Sequence, residues 1–400
     1  MGVCWCCCCI GFDGNFFNLN FKFMRAYILK ESESELRVSA SPDSVKKMVE
    51  LGISVNIQTD AGQNSNFSDE SYKANGAEIF NNTSEISNAD IIIKVNKPTN
   101  DEISSMKEGS LFIGSLDPYN SRETLNKLRD KGVTSFAMEL MPRITRAQSM
   151  DILSSQSNLA GYKAVIDATY LFNKAMPMMM TAAGTIAPAK VMVFGAGVAG
   201  LQAIATAKRL GAIVSATDVR MAAKEQVESL GGKFVMVEDD ETQDAETSGG
   251  YAKEMSDEFK AKQAKLISDT LATQDIAICT ALIPGKKAPI LISEEQVRSM
   301  KPGSIIIDLA AESGGNCECS VAGETKEVGG VHVVGSKNIT STISEDASAL
   351  FSKNILNFLT LLIDSESKSL SIDWDDEIIQ GILVTKNNEI VHKELANGSN

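Results

Sequence analysis

Basic residues, histidine and long apolar runs are all scarce in this sequence. Among its 400 residues, 38 Lys and Arg face 52 Asp and Glu. An acidic chain of this kind disfavours binding to nucleic acid or to an anionic membrane over a broad surface. No stretch reaches the ~18 consecutive apolar residues of a transmembrane helix. The sequence therefore predicts no nucleic-acid partner and no transmembrane segment.

Cysteine is rare beyond the first ten residues. The N-terminal cysteines lie between positions 4 and 9, and the remaining ones are Cys279, Cys317 and Cys319. These three thiols make a poor disulfide framework, which indicates a reducing compartment. Cys317-x-Cys319 has the spacing of a metal ligand pair, but no second pair accompanies it, so we expect incidental thiols and no metal site.

Residues 1–23 form an atypical N-terminal extension. They lack the basic start of a signal peptide. Gly2 suggests myristoylation, but Cys6 stands where Ser or Thr is expected, and the clustered cysteines suggest palmitoylation instead. We favour an upstream extension or a misassigned start, with Met24 as the functional beginning.

From Met24 onwards, apolar strand patterns alternate with helical patterns, which predicts an α/β protein with mostly parallel sheets. Ser41 and Pro42 mark a helix start, and Asn387-Asn388 marks the turn of a C-terminal hairpin. Two long helices are predicted over Met150–Lys174 and Ala347–Ile363. The predicted strands are Ala26–Lys30, Ile53–Gln58, Ile91–Val95, Leu111–Ile113, Ser135–Glu139, Lys233–Val237, Ile276–Thr280, Ser304–Asp308 and His332–Val334.

This order predicts two Rossmann-like, doubly wound domains, with the nucleotide-binding domain inserted into the other. The first domain comprises residues 24–152 and 345–400, and the second comprises residues 153–344. Long helices at the two junctions would act as hinge arms around a ligand cleft. The acidic stretch at about 238–265 is longer than most connections, which favours a mobile loop over the cofactor, a solvated helix being the alternative.

The most informative motif is Gly195-Ala-Gly197-Val198-Ala-Gly200, which follows an apolar strand and opens an alanine-rich helix. In a dinucleotide-binding turn the first glycine allows the tight turn, the second admits the pyrophosphate, and the third lets the helix pack on the strand. The N–H groups at the helix start then hold the phosphates.

Asp218 stands about 20 residues beyond these glycines, at the end of the next predicted strand. A carboxylate there accepts hydrogen bonds from the adenosine ribose and repels a 2′-phosphate, which favours NAD(H) over NADP(H). Arg220 argues the other way, because a nearby arginine pairs with a 2′-phosphate. We give Asp218 the greater weight, since it lies at the strand end itself.

The stretch Pro142–Val165 is dense in polar groups just before the nucleotide domain. Arg143, Gln148, Asp151 and Ser154 recur at helical spacings, so one turn would bring several of them onto one face. The alternative is a solvated helix start at which Asp and Ser cap the backbone. Spacing alone leaves both interpretations open.

The sequence resembles the NAD(H)-binding alpha-subunit family of proton-translocating NAD(P) transhydrogenases, from about Met24 to near the C-terminus. The resemblance rests on RAQSMD, GAGVAGLQAIATAKRLGA, DVR, KEQVESLGGKF, GGYAKEM, TALIPGKKAP and MKPGSIIIDLAAESGGNCE. It implies direct hydride transfer between NAD(H) on this chain and NADP(H) on a partner, coupled to proton translocation by membrane subunits. It also implies a homodimer in the cytoplasm, docked peripherally on the inner face of the membrane, and an enzyme active only with its partners.

The same resemblance implies roles for individual residues. The nicotinamide end of the cofactor is held by Arg143, Gln148, Asp151 and Ser154, which are also the residues closest to hydride transfer. Other predicted cofactor-binding residues are Ser149 and Met150 beside them, Gly195, Gly197, Val198 and Gly200 at the pyrophosphate, Asp218, Val219 and Arg220 at the adenosine, Gly250 and Tyr251 in the mobile loop, and Gln263 and Leu282 along the site.

Alanine dehydrogenases share the early LKESESELRVSASPDSV pattern and are the alternative family. They use a histidine acid/base, because reducing an imine needs a proton as well as a hydride. This chain has only His332 and His392, both in predicted structural positions, whereas Lys94 in IIIKVNKP is kept. A non-catalytic NAD(H) sensor is the alternative outside the enzymes.

Overall fold

The computed structural model describes residues 24–237, 256–283 and 285–396, and most of its strands belong to two large sheets. The strands are β1 (Met24–Ile28), β2 (Ile53–Gln58), β3 (Glu78–Phe80), β4 (Ile91–Ile93), β5 (Leu111–Gly114), β6 (Thr134–Ala137), β7 (Met179–Thr181), β8 (Gly184–Ile186), β9 (Lys190–Phe194), β10 (Ile213–Thr217), β11 (Lys233–Phe234), β12 (Ile276–Cys279), β13 (Ile305–Asp308), β14 (Thr325–Val328), β15 (Val331–Gly335), β16 (Leu383–Lys386) and β17 (Glu389–Ile390). The helices are α1 (Pro42–Glu50), α2 (Asp69–Ala74), α3 (Asn100–Ser105), α4 (Arg122–Asp130), α5 (Ile152–Leu171), α6 (Val198–Arg209), α7 (Ala223–Ser229), α8 (Asp257–Leu271), α9 (Glu294–Ser299), α10 (Ser344–Leu362), α11 (Glu377–Ile382) and α12 (Lys393–Ala396).

The first sheet has eight strands in the order β17-β16-β6-β5-β4-β1-β2-β3. Strands β1 to β6 are parallel to their neighbours, and β16 joins β6 in antiparallel fashion. The sequential order reverses between β1 and β4. The chain leaves this sheet after β6 and returns to it with β16 and β17.

The second sheet has seven strands in the order β11-β10-β9-β12-β13-β15-β14, all parallel to their neighbours except the edge strand β14. Its order reverses between β9 and β12. Two doubly wound parallel sheets confirm the predicted α/β class. The order reversals matter because ligands of such folds bind beyond the carboxyl ends of the strands at these points.

Local sequence signals account for several of the boundaries. Helix α1 begins where predicted, since the Ser41 side chain accepts a hydrogen bond from the Ser44 backbone and Pro42 occupies the first turn. The predicted hairpin is confirmed between β16 and β17, where Asn387 and Asn388 both adopt the left-handed conformation that a two-residue turn requires.

The long helices α5 and α10 lie between the two sheets and pack on each other. Helix α5 also packs closely on α6, because a Cβ placed on Gly161 would lie 2.0 Å from the Ala199 carbonyl oxygen. Only glycine fits at such an approach. Within the described residues, no helix is both long and apolar enough to span a membrane.

Some predicted bounds were wrong by a few residues, each for a local reason. Helix α5 begins at Ile152 rather than Met150, because Asp151 is its cap. Strand β6 ends at Ala137 because Met138–Leu140 turn into a short 3₁₀ segment. The pairing of β11 ends early, since the Val237 N–H is bound by the Gln263 side chain instead of a neighbouring strand.

The two histidines were placed by sequence in a strand and in the hairpin. His332 does lie in β15, but His392 follows the hairpin and immediately precedes α12. The exposed hairpin of β7 and β8 was not predicted, because its residues show no alternation between apolar and polar side chains.

Candidate functional site

The order reversal in the second sheet creates a crevice bordered by the turn after β9 and the segment after β12. The turn contains Gly195, Gly197 and Gly200, and the facing segment contains Leu282. Thr280 connects the two sides, because its hydroxyl is 3.1 Å from the carbonyl oxygens of both Phe194 and Gly195. The predicted glycine motif therefore lies where a doubly wound sheet binds its ligand.

The three glycines of the turn are required for three different reasons. Gly195 has φ +93°, a conformation that other residues rarely adopt. A Cβ on Gly200 would lie 1.9 Å from the Gly195 carbonyl oxygen, so this glycine permits helix α6 to pack on the turn. A Cβ on Gly197 would meet no protein atom within 4 Å. The protein itself does not need glycine at 197, which is what close approach by a ligand would explain.

The start of α6 is free to receive an anion. Gly197 is its N-cap residue and offers no side-chain hydrogen bond, and the first turn carries no acidic residue. The N–H groups at a helix start and the helix dipole favour phosphate. The turn thus fits the pyrophosphate of a dinucleotide.

Asp218 follows β10 and already has several partners within the chain. Its carboxylate accepts hydrogen bonds from the backbone N–H of Ala196 at 2.7 Å and from the backbone N–H of Arg220 at 2.9 Å. It also pairs with the Arg220 guanidinium at 2.9 and 3.0 Å. Burial opposes ionisation, but the Arg220 side chain and these N–H groups outweigh it and lower the pKa of Asp218 below its ordinary value. The predicted opposition between Asp218 and Arg220 is therefore, in this structure, an ion pair.

Other predicted residues lie around the same edge. Val198, Val219 and Leu282 are apolar yet exposed, Val219 by 72% and Leu282 by 54%. Gln263 lies beside the chain that follows β11, where its amide binds the Val237 N–H at 2.8 Å and the Val235 carbonyl at 3.3 Å. Gln263 thus supports the adenosine side through the backbone. Gly250 and Tyr251 lie outside the described residues.

The polar segment before α5 divides into two groups. Asp151 caps α5, since its carboxylate accepts hydrogen bonds from the Ser154 N–H at 2.9 Å and the Ser154 hydroxyl at 2.5 Å. The capping alternative is therefore realised for this pair. Arg143 and Gln148 are exposed, and no hydrogen bond to another described side chain holds either of them. Arg143 also precedes the helical turn on which its spacing had placed it.

Contacts that sequence reasoning missed hold this segment in place. Arg146 forms a bidentate ion pair with Asp376 at 2.6 and 2.9 Å. The Ser149 carbonyl accepts hydrogen bonds from Asn354 at 2.8 Å and Asn357 at 2.9 Å on α10. No local signal reveals these pairs, because the partners are separated by more than two hundred residues. Met150 is buried beneath the segment.

The equivalent crevice of the first sheet, between β1 and β4, is filled by the protein's own charges. The Lys94 ammonium is buried, 3.0 and 3.1 Å from the two carboxylate oxygens of Glu102 and 3.9 Å from Glu31. Burial raises the pKa of Glu31 to about 7, although Lys94 acts in the opposite direction. The Arg37 guanidinium is likewise paired with Glu35, at 2.7 and 2.8 Å.

The same cluster connects the two sheets. Glu35 accepts a hydrogen bond from the Asn338 side chain at 3.0 Å, and Arg37 donates one to Gln156 of α5 at 2.8 Å. The Leu36 N–H donates to the Ser341 hydroxyl at 2.6 Å. These contacts hold the segment after β1 against the connection that precedes α10.

The thiols offer no alternative chemistry at the crevice. Burial raises the pKa of the Cys279 thiol and that of Cys317, the latter to about 12, so both stay protonated near neutral pH. Across the described residues, no group of three or more His, Cys, Asp or Glu side chains is arranged to hold a metal ion. A separate cavity of about 780 Å³ lies between β10, β11 and α8, on the flank of the second sheet and not at the crevice.

Two family models match the chain. The model described as alanine dehydrogenase/PNT, N-terminal domain, matches residues 27–160, and the one described as alanine dehydrogenase/PNT, C-terminal domain, matches residues 164–393.

Similar proteins bear two kinds of name. An NAD(P) transhydrogenase subunit alpha of Rhodospirillum rubrum, named as the first portion of a divided subunit, is 53% identical over 93% of this chain and 99% of its own length. NAD(P) transhydrogenase subunit alpha of Haemophilus influenzae is 43% identical over 89% of this chain and 69% of its own. Alanine dehydrogenase of Bacillus subtilis is 30% identical over 71% of this chain and 70% of its own.

Solved structures give the same ranking. The crystal structure of transhydrogenase from Sinorhizobium meliloti superposes with a TM-score of 0.84 at 48% identity, covering 92% of this chain and all of that one. An L-alanine dehydrogenase superposes with a TM-score of 0.78 at 24% identity, covering 94% of this chain and 98% of that one, which supports the fold alone.

Proposed function

The chain belongs to the alanine dehydrogenase/PNT family, and we propose that it is the NAD(H)-binding subunit of a proton-translocating NAD(P) transhydrogenase. The observation that carries this proposal is the open glycine turn at the switch point of the second sheet, with Gly197 facing free space. Similarity to transhydrogenase alpha subunits, one of them 53% identical over nearly the whole chain, supports the choice within the family.

In this proposal the dinucleotide lies across the crevice. The backbone of Gly195–Val198 and the start of α6 bind the pyrophosphate, and Asp218 and Val219 bind the adenosine. Arg143 and Gln148, the exposed polar side chains of their segment, orient the nicotinamide, and Asp151 and Ser154 fix the start of α5 beside them. The NAD(H) supplies or accepts the hydride, so the protein's contribution is binding and orientation.

The charges of the first sheet disfavour the alanine dehydrogenase alternative. Binding a 2-oxo acid requires a cation for its carboxylate and an acid for its carbonyl. Lys94 and Arg37 are already paired with glutamates of the chain. Transfer between two nicotinamide rings needs neither group. We therefore place NADP(H) on a partner subunit, and proton translocation in membrane subunits on whose inner face this chain docks from the cytoplasm.

We also propose a homodimer, and keep the division into a first domain (24–152 with 345–400) and an inserted NAD(H) domain (153–344). The return of β16 and β17 to the first sheet supports the division. The β7–β8 hairpin supports the dimer, because Met178, Met179, Met180 and Ile186 are all exposed, Met180 by 75%. Sedimentation velocity should show twice the chain mass, and Met180→Asp should reduce it to one.

One assay tests the activity. We would mix the purified chain with an NADP(H)-binding partner subunit and follow reduction of acetylpyridine-NAD⁺ by NADPH. The proposal expects transfer with both proteins and none with either alone. Oxidation of NADH by pyruvate and ammonia would favour alanine dehydrogenase. NADH binding without transfer in any mixture would favour a sensor.

A further inference from the structure

A buried asparagine lies directly behind the segment that follows β12. Asn316, between β13 and β14, has no exposed surface. Its side-chain oxygen accepts a hydrogen bond from the Ala281 N–H at 3.0 Å. Its side-chain nitrogen donates to the carbonyls of Ala281 at 2.9 Å and Pro289 at 2.8 Å. One amide group therefore fixes both the start of the segment after β12 and the chain as it returns.

Asn316 is itself held rigidly. Its backbone N–H donates to the buried Asp308 carboxylate at 2.8 Å, and its carbonyl accepts from the N–H groups of Leu291 and Ile292 at 2.7 and 3.0 Å. The position demands one acceptor and two donors on a single short planar group, and asparagine is the side chain that provides them.

The segment held in this way is Ala281–Ile283, which we call the crevice wall. Thr280 ties its beginning to the Gly195 turn, and Leu282 and Ile283 are both exposed beside the crevice. A dinucleotide places one mononucleotide on each side of the switch point. Asp218, after β10, marks the adenosine side, so the crevice wall, after β12, borders the nicotinamide side.

We propose that Asn316 is a positioning residue that holds the crevice wall against the nicotinamide half of the dinucleotide. The inference rests on the proposed NAD(H) site. Asn316 is separated from the cofactor by the wall and acts only through the Ala281 backbone. Without its amide, Ala281 and Pro289 would lose three hydrogen bonds, and Leu282 would no longer have a fixed position.

The test compares two nucleotides that share the adenosine half. Asn316→Ser should raise the Kd for NADH by about tenfold, while the Kd for 5′-AMP should change by less than about twofold. The matched control is Asn56→Ser, because Asn56 is also buried and hydrogen-bonded to backbone carbonyls, but in the first sheet. It should leave both Kd values unchanged.

A second variant approaches the same wall from its other anchor. Thr280→Val removes the hydroxyl that binds the Gly195 turn and keeps the side-chain volume, so it should weaken NADH and spare 5′-AMP even if Asn316→Ser does not fold. An unchanged Kd for NADH in the folded variants, or equal weakening of both nucleotides, would overturn the positioning role. Wild-type protein that binds no NADH would overturn the proposed function together with this inference.

Discussion

The switch points of the two sheets have the same topology and opposite contents. In the second sheet, the edge between β9 and β12 presents a glycine turn, a helix start without a side-chain cap and exposed apolar side chains. In the first sheet, the edge between β1 and β4 holds Glu31, Lys94 and Glu102, packed together and buried. One edge leaves its backbone available, and the other consumes its charges internally.

The difference shows how one fold makes one ligand site instead of two. Buried ion pairs are expensive to form because both charges lose water, but breaking one leaves an uncompensated charge at greater cost. The first edge therefore resists opening to a substrate and serves to hold the connection to the second sheet. Among the described residues of the second edge no such pair spans the crevice, so a dinucleotide displaces only water.

Removing the cation of the first edge should have the largest effect on stability. Lys94→Met leaves Glu31 and Glu102 buried without their partner, so the free energy of unfolding should fall by about 3–5 kcal/mol in urea titrations. NADH affinity of the remaining folded protein should not change. Lys127→Met, which breaks an exposed pair with Glu123, should cost far less. A large loss of NADH affinity in Lys94→Met would show that the two edges are not independent.

The glycines of the second edge should separate folding from binding. Gly200→Ala forces a Cβ against the Gly195 carbonyl and should lower the free energy of unfolding by about 2–3 kcal/mol. Gly197→Ala should leave stability unchanged and weaken NADH by roughly a hundredfold, about 3 kcal/mol of binding energy. Thermal unfolding and fluorescence titration measure the two quantities. If Gly197→Ala bound NADH normally, the pyrophosphate would not lie against this turn.

The first edge should also carry a pH dependence. The pKa of Glu31 is raised to about 7 in the folded protein, whereas an unfolded glutamate loses its proton nearer pH ~4.5. Stability should therefore fall as pH rises between these values. Between about pH 5 and pH 8, wild type should lose about 2 kcal/mol of unfolding free energy that Glu31→Gln does not lose. Glu35 and Lys94 also face Glu31, so parallel pH profiles of the two proteins would assign the titration to one of them.

The smallest predicted change concerns cofactor choice. Asp218→Asn should weaken NADH by about tenfold and reduce the preference for NADH over NADPH, since the ribose acceptor and the charge that repels a 2′-phosphate are both lost. Asp275→Asn is the control, because Asp275 is a buried carboxylate at the amino end of the same sheet. A preference that stays the same in Asp218→Asn would remove Asp218 from this role.

Sequence reasoning predicted the features that depend on neighbouring residues. The bounds of β2, the Ser41 cap, the Asn387-Asn388 turn and the glycine turn all follow from local backbone preferences. The α/β class follows from the alternation of patterns along the chain.

The remainder depends on tertiary contacts between residues far apart in the chain. Arg146 meets Asp376, and Asn316 meets Ala281, only because of the way the chain packs. Lys94 was noted as a feature shared with alanine dehydrogenases, but its pairing with Glu102 in the buried edge required the structure. Nothing in the spacing of Asp151 and Ser154 distinguished a cap from a binding face.

The structure of the chain with bound NADH tests the central claim most directly. The account predicts the pyrophosphate on the backbone of Gly195–Val198, the adenosine ribose at Asp218, and the nicotinamide between Leu282 and the segment containing Arg143 and Gln148. A dinucleotide found instead at the edge between β1 and β4, with Lys94 released from Glu102, would contradict it.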